Sequence, residues 1–153
     1  MPDPLHPGRT SADKPVRCSV AAVVTDGSAI LAVQRPPDDD RLPNVWGLPA
    51  VTLRPGELPE SGLRRVGSEK LSVPLVPVEL LGVGSIDRGD YQLILMDISA
   101  RVLEGTPDVH SATTSATRYV DQRWTTDLTI FVDAAARGSL CSRILLQHHR
   151  IPY

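Results

Sequence analysis

The sequence predicts one α+β domain in which helices cover a mixed β-sheet. Three observations support this prediction: strand and helix signals in the order β-β-β-α-β-β-β-α-α, a hairpin signal at Asp26-Gly27, and a helix signal that starts at Pro59. The 153 residues suffice for one ordinary domain with a core. We therefore expect residues 17–150 to form one domain, and residues 1–16, which are polar and rich in proline, to form a flexible N-terminal tail.

The first strands are indicated by two apolar, β-branched runs at 18–25 and 29–35. Asp26-Gly27 lies between them and is typical of a tight hairpin turn. Prolines and aspartates fill the stretch 36–44, which predicts a loop. Residues 46–53 then predict a third strand.

The helix signal covers residues 59–71. Pro59 suits the first turn, apolar residues follow at spacings of three and four, and Pro74 ends the pattern. Gly62 and Gly67 each cost about 1 kcal/mol relative to alanine inside a helix. We therefore expect packing against the sheet to stabilise this helix.

The second half of the chain repeats this order. The predicted elements are strands at 78–86 and 91–102 around a turn at 87–90, a polar loop at 104–117, a strand at 117–124, a helix at 127–137, and a helix at 140–148 that Ser139 caps.

Composition excludes several classes of protein. The net charge of −2 gives no electrostatic reason to expect nucleic acid or an anionic membrane as a partner. No apolar run reaches the roughly 18 residues of a membrane span, and residues 1–16 lack the apolar core of a secretory signal. We therefore expect a cytoplasmic protein. Cys18 and Cys141 are expected to be buried thiols.

Several short motifs occur in a recognisable order. Residues 46–49 are Trp-Gly-Leu-Pro, residues 55–57 are Pro-Gly-Glu, and Arg65 and Glu69 follow on the predicted helix. In this order they resemble the signature of the Nudix hydrolases. An early strand that ends in Arg35 and the later Arg123-Trp124 strengthen the resemblance, which extends over about residues 17–137.

The resemblance implies an α/β/α sandwich with a mixed β-sheet and a Mg²⁺ or Mn²⁺ site. The substrate class it implies is a nucleoside diphosphate linked to another moiety, which makes a small nucleotide-type molecule the expected ligand. It assigns catalytic roles to Glu69 and Arg65, metal binding to Glu57 and Glu69, and substrate binding to Arg35 and Trp46. Lys70, which departs from the family pattern, is a third candidate for substrate binding. A homodimer is left open.

The Nudix pattern is degenerate in this chain. When it is anchored on Glu57, it matches at Arg65, Glu69 and Val73 as well. Two of its glutamates fall on Val66 and Lys70. The remaining departures place the first glycine on Val51, an aliphatic position on Gly67 and the final glycine on Ser72. Loss of two carboxylates and gain of an ammonium oppose Mg²⁺ binding.

Two functions therefore stay open. One is a hydrolase with an atypical, weakened metal site. The other is a catalytically inactive Nudix-fold module that binds a nucleotide or a protein, with Lys70 replacing part of the metal charge.

Simpler roles also stay open for single residues. Arg65 and Glu69 can be a surface ion pair, Glu57 a carboxylate at a helix entry, and Trp46 a core residue. Asp87 and Asp90 suit a turn better than a metal site.

Overall fold

The computed structural model describes residues 14–114 and 116–153. Most of the predicted tail, residues 1–13, lies outside the described residues. Lys14 forms an ion pair with Asp87, and Pro15 accepts a hydrogen bond from the amide of Gln92. The strands are β1 (Val16–Asp26), β2 (Ala29–Gln34), β3 (Trp46–Gly47), β4 (Ala50–Thr52), β5 (Leu75–Asp87), β6 (Gln92–Val102) and β7 (Asp121–Thr125).

The sheet is mixed, as predicted, and β1 lies at its centre. β1 runs parallel to β6, from the pair Val16 and Gln92 to the pair Val24 and Ala100. It runs antiparallel to β2 and β4. The main strand order is β3-β2-β1-β6-β5, so among residues 14–114 and 116–153 β5 is an edge strand that pairs only with β6.

The predicted single strand at 46–53 is wrong, because the structure divides it in two. β3 pairs with β2, whereas β4 pairs with β1. Pro49 lies at the break, and its lack of an N–H group prevents it from donating to a strand ladder. Its carbonyl still accepts from the amide of Ala22 at 2.9 Å. The chain therefore crosses from one strand neighbour to the other within a few residues.

The predicted helix at 59–71 is present, but only its first half is an α-helix. An α-helix, α1 (Pro59–Arg65), continues into a π-helical segment (Val66–Leu71), and we call the two together the box helix. A Cβ atom on Gly67 would lie 2.5 Å from the carbonyl oxygen of Val73. Glycine at this position therefore allows the returning chain to pack directly against the helix backbone.

Helices cover both faces of the sheet, which confirms the predicted sandwich. Alternate residues of β1 point to opposite faces, and both sets are buried. On one face Val20 packs with Leu63 and Val66 of the box helix. On the other, Ala21 and Val23 pack with the last helix, α3 (Leu140–His148).

The remaining elements differ in detail from the prediction. The helix predicted at 127–137 begins as a 3₁₀ turn (Leu128–Phe131) and becomes α-helical only as α2 (Val132–Ala136). The strand predicted at 117–124 begins at Asp121. Ser139 precedes α3 but makes no side-chain capping bond, because its hydroxyl contacts Ser142 and Cys141 instead. Within the described ranges, no helix is long and apolar enough to cross a membrane.

Candidate functional site: a cationic cleft beside the box helix

Arg65 is the centre of a polar network on the box helix. Its Nε and Nη2 atoms donate to the two carboxylate oxygens of Glu57 at 2.7 and 2.9 Å. Nη2 also donates to the carbonyl of Thr52 on β4 at 2.8 Å, and Nη1 lies 3.3 Å from Glu69. The guanidinium therefore joins the loop before the helix, the helix itself and the sheet.

Glu57 is held at the entry to the box helix. Besides Arg65, it accepts a hydrogen bond from the backbone amide of Arg54 at 2.9 Å. Hydrogen bonding to Arg65 is the largest cause that lowers the pKa of Glu57 to about 2. The carboxylate is therefore ionised, and both of its oxygens already have donors.

Glu69 lies one helical turn beyond Arg65. One of its oxygens contacts Arg65, and the other lies 3.4 Å from a terminal nitrogen of Arg54. Its side chain is 26% exposed, so it lies at the edge of the solvent. The contact predicted from the four-residue spacing is therefore present, but as part of a network of two arginines and two glutamates.

Lys70 is the most unusual residue of the helix, because it is only 3% exposed. Its Nζ donates to the carbonyl of Thr117 at 2.6 Å and lies 5.3 Å from the centroid of the Tyr119 ring. No described carboxylate forms an ion pair with it. Burial lowers the pKa of the ammonium to about 8. It remains mostly charged at neutral pH.

Positions 66, 69 and 70 do not share one side of the box helix. Val66 is fully buried in the core beneath the helix. The side chain of Glu69 points to the arginines, and that of Lys70 reaches the loop at Thr117. A π-helical segment bonds residue i to i+5, so side chains four apart no longer stack as they do on an α-helix.

These residues bound a cleft of about 340 Å³, which we call the central cleft. Its near end contains Arg65, Glu69 and Lys70, and its floor is formed by β4, β1 and β6. Its far end contains Arg88, Tyr91 and Ser139. Its described lining includes five basic side chains and a single acidic one: Arg35, Arg41, Arg65, Lys70 and Arg88, with Glu69.

Of the three substrate-binding residues predicted from the sequence, two line the central cleft and one does not. Arg35 and Lys70 both line the central cleft, and Arg35 is held by Asp39 at 3.3 Å. Trp46 does not line it. Its ring packs beneath the guanidinium of Arg123, 5.0 Å from the ring centroid, and against the core on the α3 side.

Sequence reasoning missed several cleft residues. Tyr119 is buried, and its hydroxyl accepts from the amide of Ala50 on β4 at 3.0 Å. Arg88 belongs to the turn at 87–90, in which the sequence pointed to Asp87 and Asp90 as candidates and not to Arg88. Asp87 does form that turn, since it accepts from the amide of Gly89 at 2.8 Å. Only the tertiary fold brings Arg88 to the cleft, so no local signal marks it.

The predicted metal residues do not fit a divalent ion in this arrangement. Both oxygens of Glu57 accept hydrogen bonds, and both oxygens of Glu69 face arginines. Lys70 adds a positive charge beside them. Within residues 14–114 and 116–153, no group of three or more histidine, cysteine or carboxylate side chains is placed to hold a metal. An ion at Glu57 and Glu69 would have to displace Arg65.

One buried carboxylate lies outside the cleft. Asp97 on β6 is fully buried, and neither of its oxygens has a hydrogen-bond partner among the described residues. Burial raises the pKa of Asp97 well above its usual range. Burial, and after it the nearby Asp97, raises the pKa of the Cys141 thiol. Both cysteines are free thiols, but only Cys141 is fully buried, whereas Cys18 is half-buried.

Comparison with known proteins places this geometry in a known fold. No protein-family model matches the chain, and no curated protein matches it in sequence. Among solved structures, it is similar to the MutT protein of Methanosarcina mazei Go1, with a TM-score of 0.68 at 16% identity over 90% of this chain and 96% of that one.

Two further structures agree. A Nudix hydrolase from Nitrosomonas europaea has a TM-score of 0.69 at 22% identity, over 90% of each chain. A UDP-X diphosphatase has a TM-score of 0.61 at 16% identity, over 90% of this chain and 64% of that one. At such low identities the likeness establishes the fold alone. This protein therefore has the fold of the Nudix hydrolases, as the motifs around the box helix predicted.

Proposed function

We propose that this protein binds a nucleoside diphosphate linked to a second group, and that side-chain cations hold the diphosphate where a divalent ion would otherwise do so. Hydrolysis is then slow or absent. The observation that supports this proposal is the Lys70 ammonium, which is buried at a position where the Nudix pattern has a glutamate, lines the cleft and has no carboxylate partner among the described residues.

The electrostatics favour an anion at this place. An ammonium that burial has partly removed from water gains more from a phosphate oxygen than an exposed lysine does, because the local dielectric constant is low. Arg35 lines the same cleft, although Asp39 neutralises part of its charge. The fold is shared with enzymes named for nucleotide substrates, such as the UDP-X diphosphatase. A diphosphate ester is therefore the anion we propose.

Calorimetric titration with UDP-glucose and ADP-ribose tests the proposal when the buffer contains EDTA in place of a metal. We expect both ligands to bind without a metal, and Lys70→Gln to weaken both by about tenfold or more. Arg64→Gln is the matched control: it removes the same charge from an exposed position of the same helix. Its affinity should stay within about twofold of the parent.

A hydrolase with a rebuilt metal site is the second candidate, because the similar structures include proteins named as hydrolases. In that case Mg²⁺ or Mn²⁺ would be held at Glu57 and Glu69, and Arg65 would orient a carboxylate. The same two compounds, incubated with each metal, distinguish the candidates by the products released. Ligands that bind only with metal, and that are then cleaved with turnover, would replace the binding proposal with this one.

A further inference from the structure

The far end of the central cleft contains an arginine without a counter-ion. Arg88 donates from Nη2 to the carbonyl of Gly138 at 3.0 Å, and its buried Nε has no partner among the described residues. No described carboxylate pairs with it. A buried donor on a charged group costs free energy unless an acceptor reaches it. An anionic acceptor at this place would remove that cost.

The surroundings of Arg88 increase the positive potential. Arg41 lines the same cleft, as do Tyr91 and Ser139. Burial first, and then the charge of Arg41, lowers the pKa of Arg88. Arg143 adds a further positive charge nearby. The described residues around Arg88 therefore contribute charges that repel a cation and attract an anion.

The two ends of the cleft lie at opposite sides of its floor. Arg65 donates to the carbonyl of Thr52 on β4, whereas Arg88 lies in the turn that precedes β6. β1 separates β4 from β6, because it pairs with each of them. Two strand spacings of about 4.8 Å place β4 and β6 about 10 Å apart. Ser19, Leu93 and Leu95 line the floor between them.

We propose that the ligand has a second oxyanion, a carboxylate or a phosphate ester, which binds Arg88 while Lys70 holds the diphosphate. This inference rests on the proposed function. It narrows the class of ligands to nucleoside diphosphate derivatives that are anionic at both ends. In this mode Arg88 would donate from Nε and from the second N–H of its terminal nitrogen, the paired geometry that suits two oxygens of one oxyanion.

Two pairs of probes test this inference and separate the two kinds of oxyanion. UDP-glucuronate differs from UDP-glucose by a carboxylate, and adenosine 3′-phosphate 5′-diphosphate differs from ADP by a phosphate ester. Calorimetry in EDTA gives each affinity. We expect the parent protein to bind the anionic member of at least one pair about tenfold more tightly in 0.3 M NaCl. A preference that is present only at low salt would reflect long-range attraction, because 0.3 M NaCl screens it.

Variants then assign the preference to Arg88. In Arg88→Gln the ratio of the two affinities in that pair should fall close to one. Arg88→Lys keeps the charge but loses the paired donors, so its ratio should lie between those of the parent and Arg88→Gln. Lys70→Gln should weaken both members equally and keep the ratio, while Arg64→Gln changes neither. Melting temperatures of all variants show whether each is folded.

The possible failures are distinguishable. If the neutral members bind through Lys70 but neither pair shows a preference, or if a preference survives in Arg88→Gln, this inference is wrong and the proposed function stands. If no member of either pair binds without metal, both proposals are wrong.

Discussion

Ser72 ends the box helix in a left-handed backbone conformation, with φ of 59°. The final glycine of the Nudix pattern falls on this residue. The left-handed conformation costs a residue with a side chain roughly 1–2 kcal/mol, more than the flexibility that a glycine adds to the unfolded chain. We therefore expect Ser72→Gly to raise the free energy of unfolding by about 0.5–1 kcal/mol. The matched change Ser61→Gly, in an exposed turn of α1, should lower it by about 0.5 kcal/mol. Urea denaturation of both variants measures the two opposite signs.

Asp97 makes a pH-dependent contribution to stability. Because burial raises its folded pKa above the unfolded value, the folded state binds more protons in the window between them. Stability is therefore highest below the unfolded pKa and falls as pH rises towards the folded pKa. Asp97→Asn should be more stable than the parent at pH 7, and the difference should vanish near pH 3. Asp90→Asn, at an exposed turn position, is the control, and an Asp97→Asn variant that is less stable than the parent at pH 7 would contradict the argument.

Lys70 gives the proposed ligand binding its own pH dependence. With its pKa lowered to about 8, the ammonium loses its proton as pH rises through that value, so affinity for a diphosphate should fall above pH 8. Lys70→Arg keeps its charge to a much higher pH and should bind with a flat profile from pH 7 to 9. Titrations at three pH values check this. Equal slopes for parent and variant would place the titrating group elsewhere.

At the scale of elements, the box helix explains why the full Nudix pattern cannot simply be rebuilt in this chain. Val66→Glu restores one glutamate of the pattern, but the side chain would enter the core between the helix and β1. We expect it to destabilise the protein by about 3 kcal/mol or more. Ser68→Glu adds the same charge at an exposed position of the same turn and should change stability by less than about 0.5 kcal/mol. Thermal unfolding with and without Mg²⁺ compares them, and a metal-dependent recovery of Val66→Glu would contradict a buried orientation.

The positions of the strands and helices are better predicted from the sequence than the places where a strand or helix is interrupted. The hairpin at Asp26-Gly27 and the last helix are correct because each rests on local chemistry: a turn dipeptide for one and an amphipathic run for the other. The break at Pro49 and the π-helical segment at 66–71 depend on which strand lies alongside and on the close contact of Gly67 with Val73. Such contacts join residues through the fold, so a local pattern does not contain them.

The same distinction applies to the candidate site. Glu57, Arg65 and Glu69 were predictable because a short motif spaces them, and the structure does bring them together. Arg88 and Tyr119 reach the cleft from distant parts of the chain, through the β5–β6 turn and the segment before β7. The burial of Lys70 was equally hidden, since a lysine on a helix is ordinarily solvated.

At the scale of the whole molecule, one edge of the sheet is uncovered. Leu80 and Val83 on β5 are 55% and 56% exposed, and no strand of the described residues pairs with the outer side of β5. The homodimer left open by the sequence stays a prediction, and this edge is where we expect association. Leu80→Lys with Val83→Lys should reduce the mass measured by light scattering at high concentration while the melting temperature changes little. Glu60→Lys with Arg64→Glu, exposed on α1, is a charge-neutral control. A parent protein that is monomeric at every concentration would contradict the expectation.

The segment 103–114 is attached to the end of the box helix by backbone atoms rather than by side-chain packing alone. The amide of Asp108 donates to the carbonyl of Leu71 at 2.8 Å, and that of Thr113 donates to the carbonyl of Glu69 at 2.9 Å. These bonds occupy carbonyls that a helix end leaves without partners. The amide protons of Asp108 and Thr113 can therefore exchange with heavy water only when the segment lifts from the helix. Their exchange rates give the free energy of opening this wall of the cleft, separately from global unfolding.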